Sequence, residues 1–303
     1  MNTLLISNEI ASGLESGHPI VALESTLISH GLPSPDNLKV AKEAENIIRE
    51  NGGIPATIAV IEGKIRVGLD SSELEMLATS SSVEKLSRNN LATAIAKNST
   101  GATTVAATMI CAYRAGIRVF ATGGIGGVHR NWKENFDISA DLTELMRTPL
   151  TVVCSGAKSI LDIPATIEYL ETMGVPIIGL GTNEMPAFFS SKSGIELDQT
   201  VDDAKEAAAT IRERRHLKLE GGEVIAVPPP EDTKLPLLTV GPWIEAALDD
   251  AKNKNIKGSK ITPFVLDRLH MLSNGQTLKT NISLIKNNAK IATQIAKYLL
   301  SER

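Results

Sequence analysis

The chain has 303 residues, 42% hydrophobic and 22% charged, with a formal net charge of −4. That is enough chain for a substantial core and an ordinary composition for a globular protein, without the basic tract a nucleic-acid binder carries. Two cysteines, Cys111 and Cys154, cannot build a disulfide framework or a cysteine-rich metal site, and no run approaches the roughly 20 apolar residues of a membrane span. The opening MNTLLISNEIASGLESG lacks the basic segment of a signal peptide. The expectation is a cytoplasmic protein with no membrane or nucleic-acid partner. Both cysteines sit in apolar runs and read as buried thiols. RERRH (212–216), the densest basic cluster, reads as a solvated helix face.

In chain order, IVALE (20–24) predicts a short buried strand. SPDNLKVAKEAENIIREN (34–51) predicts a helix with Ser34 as N-cap and Pro35 in the first helical position. Val40, Ala44, Ile47 and Ile48 share its apolar face, and Gly52-Gly53 ends it. PATIAVIEGKIRVGLD (55–70) predicts two strands around a tight turn at Glu62-Gly63. GATTVAATMICAYRAG (101–116) is small and apolar almost all round, which predicts a buried helix. IRVFATGG (117–124) predicts a strand running into glycines, SADLTELMRT (139–148) a short helix, and PLTVVCS (149–155) the next strand. DIPATIEYLETMG (162–174) and VDDAKEAAATIRERRH (201–216) predict helices, VPIIGLG (175–181) and GEVIAV (222–227) strands. Three helices, at about 241–255, 262–273 and 277–300, close the chain.

Alternation of strands and helices points to an α/β protein: a largely parallel central sheet with helices on both faces (α/β/α). PPPEDTKLP (228–236) is the best linker candidate, but no composition shift accompanies it, so residues 1–303 read as a single domain.

In such sheets ligands bind beyond the carboxyl ends of the strands. Three strand ends carry unusual residues: Glu24-Ser25-Thr26, the run GGIGGVHR with His129 and Arg130, and CSGAK with Lys158. Lysines usually sit on solvated faces. Lys158 instead follows small residues at the end of a buried strand, and the next helix is expected to begin near it, its positive dipole end toward the amine. A lysine held there as a neutral amine is a nucleophile that forms a Schiff base with an aldehyde carbon; the alternative is a lysine that snorkels to the surface. Glu24, at the end of an apolar strand, suits a general acid or base, or a carboxylate that receives backbone N–H groups. GGIGGVHR fits no standard phosphate-loop pattern; its glycines say only that backbone comes close to something or bends sharply. In FDISAD, Asp137 and Asp141 are four residues apart, and Ser139 is placed to cap the short helix. Carboxylates and hydroxyls without thiols suit a hard, mostly hydrated cation such as Mg²⁺ or Mn²⁺. Lys85 and Thr103-Thr104 are candidate phosphate or hydroxyl contacts, Thr104 because a helix start welcomes an anion.

Taken together, ALESTLISHGLP, NGGIPATIAVIEGKIRVGL, GATTVAATMICAYRAGIRVFATGGIGGVHR, FDISADLTEL, VVCSGAKSILDIPATIEYLE, PAFFSSKSG and NISLIKNNAKIATQIA resemble the pseudouridine-5′-phosphate glycosidases, from about Leu4 to Leu300. The resemblance implies reversible cleavage of a C–C glycosidic bond, giving uracil and ribose 5-phosphate. It also implies a divalent metal, typically Mn²⁺, and a homotrimer. By the same resemblance Lys158 is the nucleophile that bonds to ribose C1′, Glu24 the proton donor and Asp137 the metal ligand. Lys85, Val105 and the Ser139-Ala140-Asp141 run match substrate contacts, and Asn281 matches an asparagine that contacts the base; Thr104 and His129, from their places at the helix start and the strand end, are further substrate-contact candidates. One departure is Asn89-Asn90, where the family pattern carries an Arg-Asp pair; altered trimer or loop contacts near the phosphate side are expected. Three other readings stay open: the same lysine chemistry on another C-nucleoside or sugar phosphate, a Schiff-base aldolase, and a sugar-phosphate sensor without turnover.

Overall fold

A computed structural model describes residues 3–256 and 258–301. Its strands are β1 (Leu4–Ile6), β2 (Ile20–Leu23), β3 (Ile54–Ile61), β4 (Lys64–Val67), β5 (Glu84–Leu86), β6 (Gly101–Thr103), β7 (Val119–Ala121), β8 (Val128–His129), β9 (Thr151–Cys154), β10 (Leu161–Asp162), β11 (Ile177–Leu180), β12 (Gln199–Val201) and β13 (Glu223–Ala226). One sheet runs β1-β4-β3-β2-β7-β9-β13-β11-β12, and its central stretch from β3 to β12 is parallel throughout. β2, β7, β9 and β13 are buried along their whole length, as parallel strands covered on both faces must be.

β3 is long enough to serve two neighbourhoods. Its first half pairs with β2; its second half turns away to pair antiparallel with β4 on one side and β6 on the other. β5 then joins β6, so Lys85 is carried by a small side wing of the sheet. The predicted turn between β3 and β4 forms with Glu62 and Gly63 both at positive φ.

Right-handed crossovers assign the helices to faces. β2 leads through the Asp36–Glu50 helix to its neighbour β3. β7 leads the opposite way, through the Ala140–Arg147 helix, to β9. These two helices therefore lie on opposite faces, and the strand order reverses between β2 and β7. The Gln276–Leu300 helix covers β2, β7 and β9 and packs between the Asp36–Glu50 and Ala204–His216 helices. Its buried residues include Asn281, Leu284, Ile285, Asn288, Ala289 and Ala292, a stripe at three- and four-residue spacing.

Several local expectations shift. The helix expected over 34–51 starts at Asp36 with Pro35, not Ser34, in the capping position. The 101–116 segment is not one helix: 101–103 is β6, and the helix runs Val105–Arg114 behind Thr104 as N-cap. The helix after Lys158 begins only at Ile163, capped by Asp162, whose side chain accepts from Ala165 N. Leu161 and Asp162 pair with His129 and Val128 first, so the helix that follows does not begin at Lys158. Within RERRH, Arg214 turns inward to pair with Glu223 at 3.2 Å. Cys111 and Cys154 are fully buried, and burial pushes their thiols up to about 12 and about 11.

Candidate active site

The reversal between β2 and β7 opens a crevice at the carboxyl ends of β2, β7 and β9, where an open α/β sheet binds ligands. A cavity of about 250 Å³ lies there. Every catalytic, contact or metal candidate named from the sequence lines it except two: Ala140, which follows the lining Ser139 as the first residue of its helix, and Thr103, which is buried with its hydroxyl donating to Ile58 O at 2.7 Å and so makes no ligand contact.

Glu24 follows β2 directly. One carboxylate oxygen accepts from the Thr26 hydroxyl and the other from the Thr122 hydroxyl at the end of β7. Ser25 fixes this strand end: its hydroxyl donates to Ile58 O at 2.6 Å and accepts from Thr103 N at 2.9 Å. The side chain of Glu24 is thereby held off the core and toward the crevice.

Lys158 sits in the turn after β9. Gly156 makes that turn at φ +81°, and a Cβ on it would lie 2.3 Å from Pro186 O, so no larger residue fits without moving backbone. Lys158 N donates to Ile125 O at 3.0 Å, and its Nζ donates to Gly124 O at 2.6 Å. The glycine run after β7 therefore presents a carbonyl that aims the amine. Gly126 serves the same close packing, since a Cβ there would meet Ser139 Oγ at 2.2 Å.

Lys85 reaches the cavity from β5. Burial, and next the charge of Lys158, hold its ammonium below the usual lysine range; Asp141 and Glu24 oppose the shift. Two cations in one partly buried cavity favour an anionic ligand. The Asn89-Asn90 departure acquires a role here. The Asn90 amide donates to Lys85 O at 3.0 Å, and its Oδ1 accepts from Ser87 N at 2.8 Å, so the neutral residue caps the Arg88–Ala96 helix and ties down the strand that carries Lys85. Arg88 instead pairs with the buried Glu144, through Nη2 to Oε1 at 2.9 Å and through Nε to the other oxygen.

Ser139 caps the Ala140–Arg147 helix as predicted, accepting from Asp141 N at 3.2 Å. Asp141 is buried, and both its oxygens are engaged by backbone: Oδ1 by Ala106 N at 2.9 Å, Oδ2 by Gly126 N at 2.8 Å. The anion that meets Ala106, in the first turn of the Val105–Arg114 helix, is thus the protein's own, while Thr104 Oγ1 accepts from Ala107 N at 3.4 Å. Asp137 faces His129, with Oδ2 4.0 Å from Nδ1. Burial lowers the His129 imidazole; Asp137 opposes this and Lys85 reinforces it.

A metal cage of three or more His, Cys, Asp or Glu is absent among the described residues. Asp137 lines the same wall beside His129. One carboxylate beside an imidazole fits a hard cation that keeps most of its waters and takes further oxygens from a ligand.

Three lining or supporting residues were missed from the sequence. Thr122 looked like one more small residue before glycines. Phe188, at φ +60°, packs against Gly124. Asn288 is buried under the crevice and donates from Nδ2 to Thr122 O at 2.9 Å and Ser155 Oγ at 3.2 Å, joining the ends of β7 and β9. Only Asn288 left a trace: it stands seven residues after Asn281 on the buried face of its helix.

Known proteins resemble this chain along nearly its whole length. The family described as Indigoidine synthase A like protein matches residues 9–298. The chain is 52% identical over 300 residues to a pseudouridine-5′-phosphate glycosidase of Geobacillus kaustophilus, covering 99% of this chain and 100% of that one. It is 51% identical over 294 residues to one of Caldanaerobacter subterraneus subsp. tengcongensis, covering 97% and 96%. Among solved structures, the prealnumycin C-glycosynthase AlnA in complex with ribulose 5-phosphate superposes with a TM-score of 0.91 at 36% identity, covering 99% of this chain and 98% of that one. The lysine at the end of β9, the glutamate at the end of β2 and the glycine run between them lie within the matched residues, and the chain belongs to the pseudouridine-5′-phosphate glycosidase family.

Proposed function

We propose that this protein catalyses the reversible cleavage of pseudouridine 5′-phosphate by water to uracil and ribose 5-phosphate. The observation that carries the reading is the gathering of Lys158, Glu24 and Lys85 in one cavity at the strand ends, in a chain about half identical to glycosidases of that name.

The chemistry explains why a lysine is needed. A C–C glycosidic bond offers no leaving oxygen or nitrogen to protonate, so the route of ordinary glycosidases is closed. In the proposed mechanism Lys158 Nζ bonds to C1′ as the C1′–O4′ bond breaks, and O4′ takes up the proton that the amine gives up, which opens the sugar ring. The nitrogen lone pair then forms C1′=N as the bond from C1′ to uracil C5 breaks. The electron pair of that bond passes to C5, and Glu24 supplies the proton that C5 takes up. Water adds to the imine and releases ribose 5-phosphate and the free amine. Lys85 holds the phosphate, with Thr104, Val105, His129 and the Ser139-Ala140-Asp141 run shaping the sugar-phosphate side and Asn281 the base side. Asp137 would hold a hydrated divalent cation, Mn²⁺ by family resemblance, which when bound would neutralise phosphate charge through its waters.

The 36% identity to a C-glycosynthase favours a second reading, a C-glycosidic bond to a different aromatic partner. The test is turnover: purified protein with Mn²⁺ and pseudouridine 5′-phosphate, products separated chromatographically. Release of uracil and ribose 5-phosphate in equal amounts is expected. Folded protein that releases neither overturns the reading, and turnover only with another base selects the second. A homotrimer is part of the same proposal, checked by sedimentation equilibrium. A cytoplasmic location is proposed too; among the described residues no helix is long and apolar enough to cross a membrane, and cell fractionation tests it.

A further inference from the structure

Four buried side-chain polar atoms have no hydrogen-bond partner among the described residues: His30 Nε2, Ser159 Oγ, Ser190 Oγ and His270 Nδ1. Of these residues, His30 alone lines the cavity with Glu24, Lys85 and Lys158. It belongs to the short Leu27–Gly31 helix that follows Glu24, so its backbone is tied to the strand end that positions the carboxylate. It also lines an adjoining cavity of about 320 Å³, which shares with the first cavity Gly31, Pro263, Leu266 and Asn281. His30 thus stands at the seam between the two spaces, together with the asparagine assigned to the base and away from Asp137 and Ser139, which line the first cavity only.

Buried polar nitrogens are almost always paired, and one left open beside a reaction centre marks where a ligand supplies the missing group. The chemistry of that group follows from the ring. Burial lowers the His30 imidazole, and the charge of Lys85 adds to this against the pull of the Glu84 main chain, so the ring is neutral near pH 7. A neutral imidazole carries one N–H and one lone pair; with the proton on Nδ1, the unpartnered Nε2 is the acceptor. An acceptor in that place requires a donor from the ligand. Asn281, assigned to the base, lines both spaces with His30, and the donor that a uracil-type ring brings there is a ring N–H.

We propose that His30 is a specificity-determining residue whose Nε2 accepts a hydrogen bond from a ring N–H of the nucleobase, selecting cyclic imides and lactams over bases that lack the N–H. This rests on the proposed reaction. A site built around such a bond rejects an analogue without it far more strongly than an apolar pocket rejects an extra methyl, because the buried acceptor is again left open.

The test runs the reaction toward synthesis, from ribose 5-phosphate with uracil, 1-methyluracil or 3-methyluracil, on wild type, His30→Ala and His30→Gln. Borohydride trapping of the ribose 5-phosphate adduct is measured in parallel. Wild type is expected to discriminate at least tenfold in kcat/KM against one of the two methylated bases. His30→Ala should raise the KM for uracil about tenfold and bring the ratio for that analogue to within about twofold of unity, with adduct formation unchanged. His30→Gln, which keeps an acceptor oxygen, should restore part of the discrimination. Equal use of all three bases by wild type overturns the proposal. So does discrimination that persists in His30→Ala, or loss of the sugar adduct in that variant, which would mark a structural role. Wild type that forms neither adduct nor nucleotide sinks the reaction and this inference together, whereas normal synthesis with no effect at His30 sinks the inference alone.

Discussion

Glu24 and Asp141 line the same cavity, yet their partners differ in kind. Each oxygen of Asp141 meets a backbone N–H, from Ala106 and Gly126. Each oxygen of Glu24 meets a threonine hydroxyl, from Thr26 and Thr122. A backbone N–H only donates, so Asp141 is required as an acceptor at both oxygens. A hydroxyl donates or accepts, so Glu24 can gain and lose a proton while keeping both partners. The difference teaches which carboxylate is fixed as an acceptor by the fold and which is left able to exchange a proton.

Substitution at each acid should therefore fail in a different way. Glu24→Gln keeps the shape and loses the proton; kcat should fall about 10²- to 10⁴-fold, with trapping of the ribose 5-phosphate adduct retained and thermal stability nearly unchanged. Asp141→Asn turns an amide NH₂ toward one of two backbone donors. It should destabilise by about 1–3 kcal/mol, read from denaturant unfolding, as the Val105–Arg114 helix and the Gly126 loop lose their common anchor. If instead Glu24→Gln unfolds the protein and Asp141→Asn leaves stability untouched, the distinction between the two acids collapses.

A finer probe is Thr122→Val, which removes one of Glu24's reversible partners. It should lower kcat about tenfold, the equivalent of one hydrogen bond, and Thr122→Ser should recover most of the loss. The smallest effect concerns Lys85. Burial and the Lys158 charge place its deprotonation below the ordinary lysine range. The ammonium proposed to hold the phosphate is present at low pH and lost as pH rises, so the KM for ribose 5-phosphate should climb at a pH where a free lysine is still charged. In Lys85→Arg that rise should vanish; its persistence would assign the titration to another group.

The contrast between the two acids also shows what a sequence can disclose. Glu24 and Lys158 were readable because each is a charged residue at the end of an unbroken apolar run, and such runs end at one edge of a parallel sheet. The role of Asp141 was less readable. Its partners, Ala106 and Gly126, lie 35 and 15 residues away, and the tertiary fold alone brings their N–H groups together. β5 and β6, three residues each, carry too little periodicity to register, and GAT of β6 merged with the alanine-rich helix behind it. The helix start expected at Lys158 failed because Leu161-Asp162 pairs with the strand at His129 before any helix can start. Gly124 O, which aims the amine, is a main-chain atom, and no side-chain motif records it.

The most direct test is the mass of the intact protein after ribose 5-phosphate and borohydride, on wild type and Lys158→Ala. One reduced pentose-phosphate adduct on wild type, located in the peptide that contains Lys158 and missing from the variant, is the predicted result. A folded, metal-supplied wild type that gains no adduct, or an adduct that survives in Lys158→Ala, would contradict the assignment of Lys158 as the nucleophile.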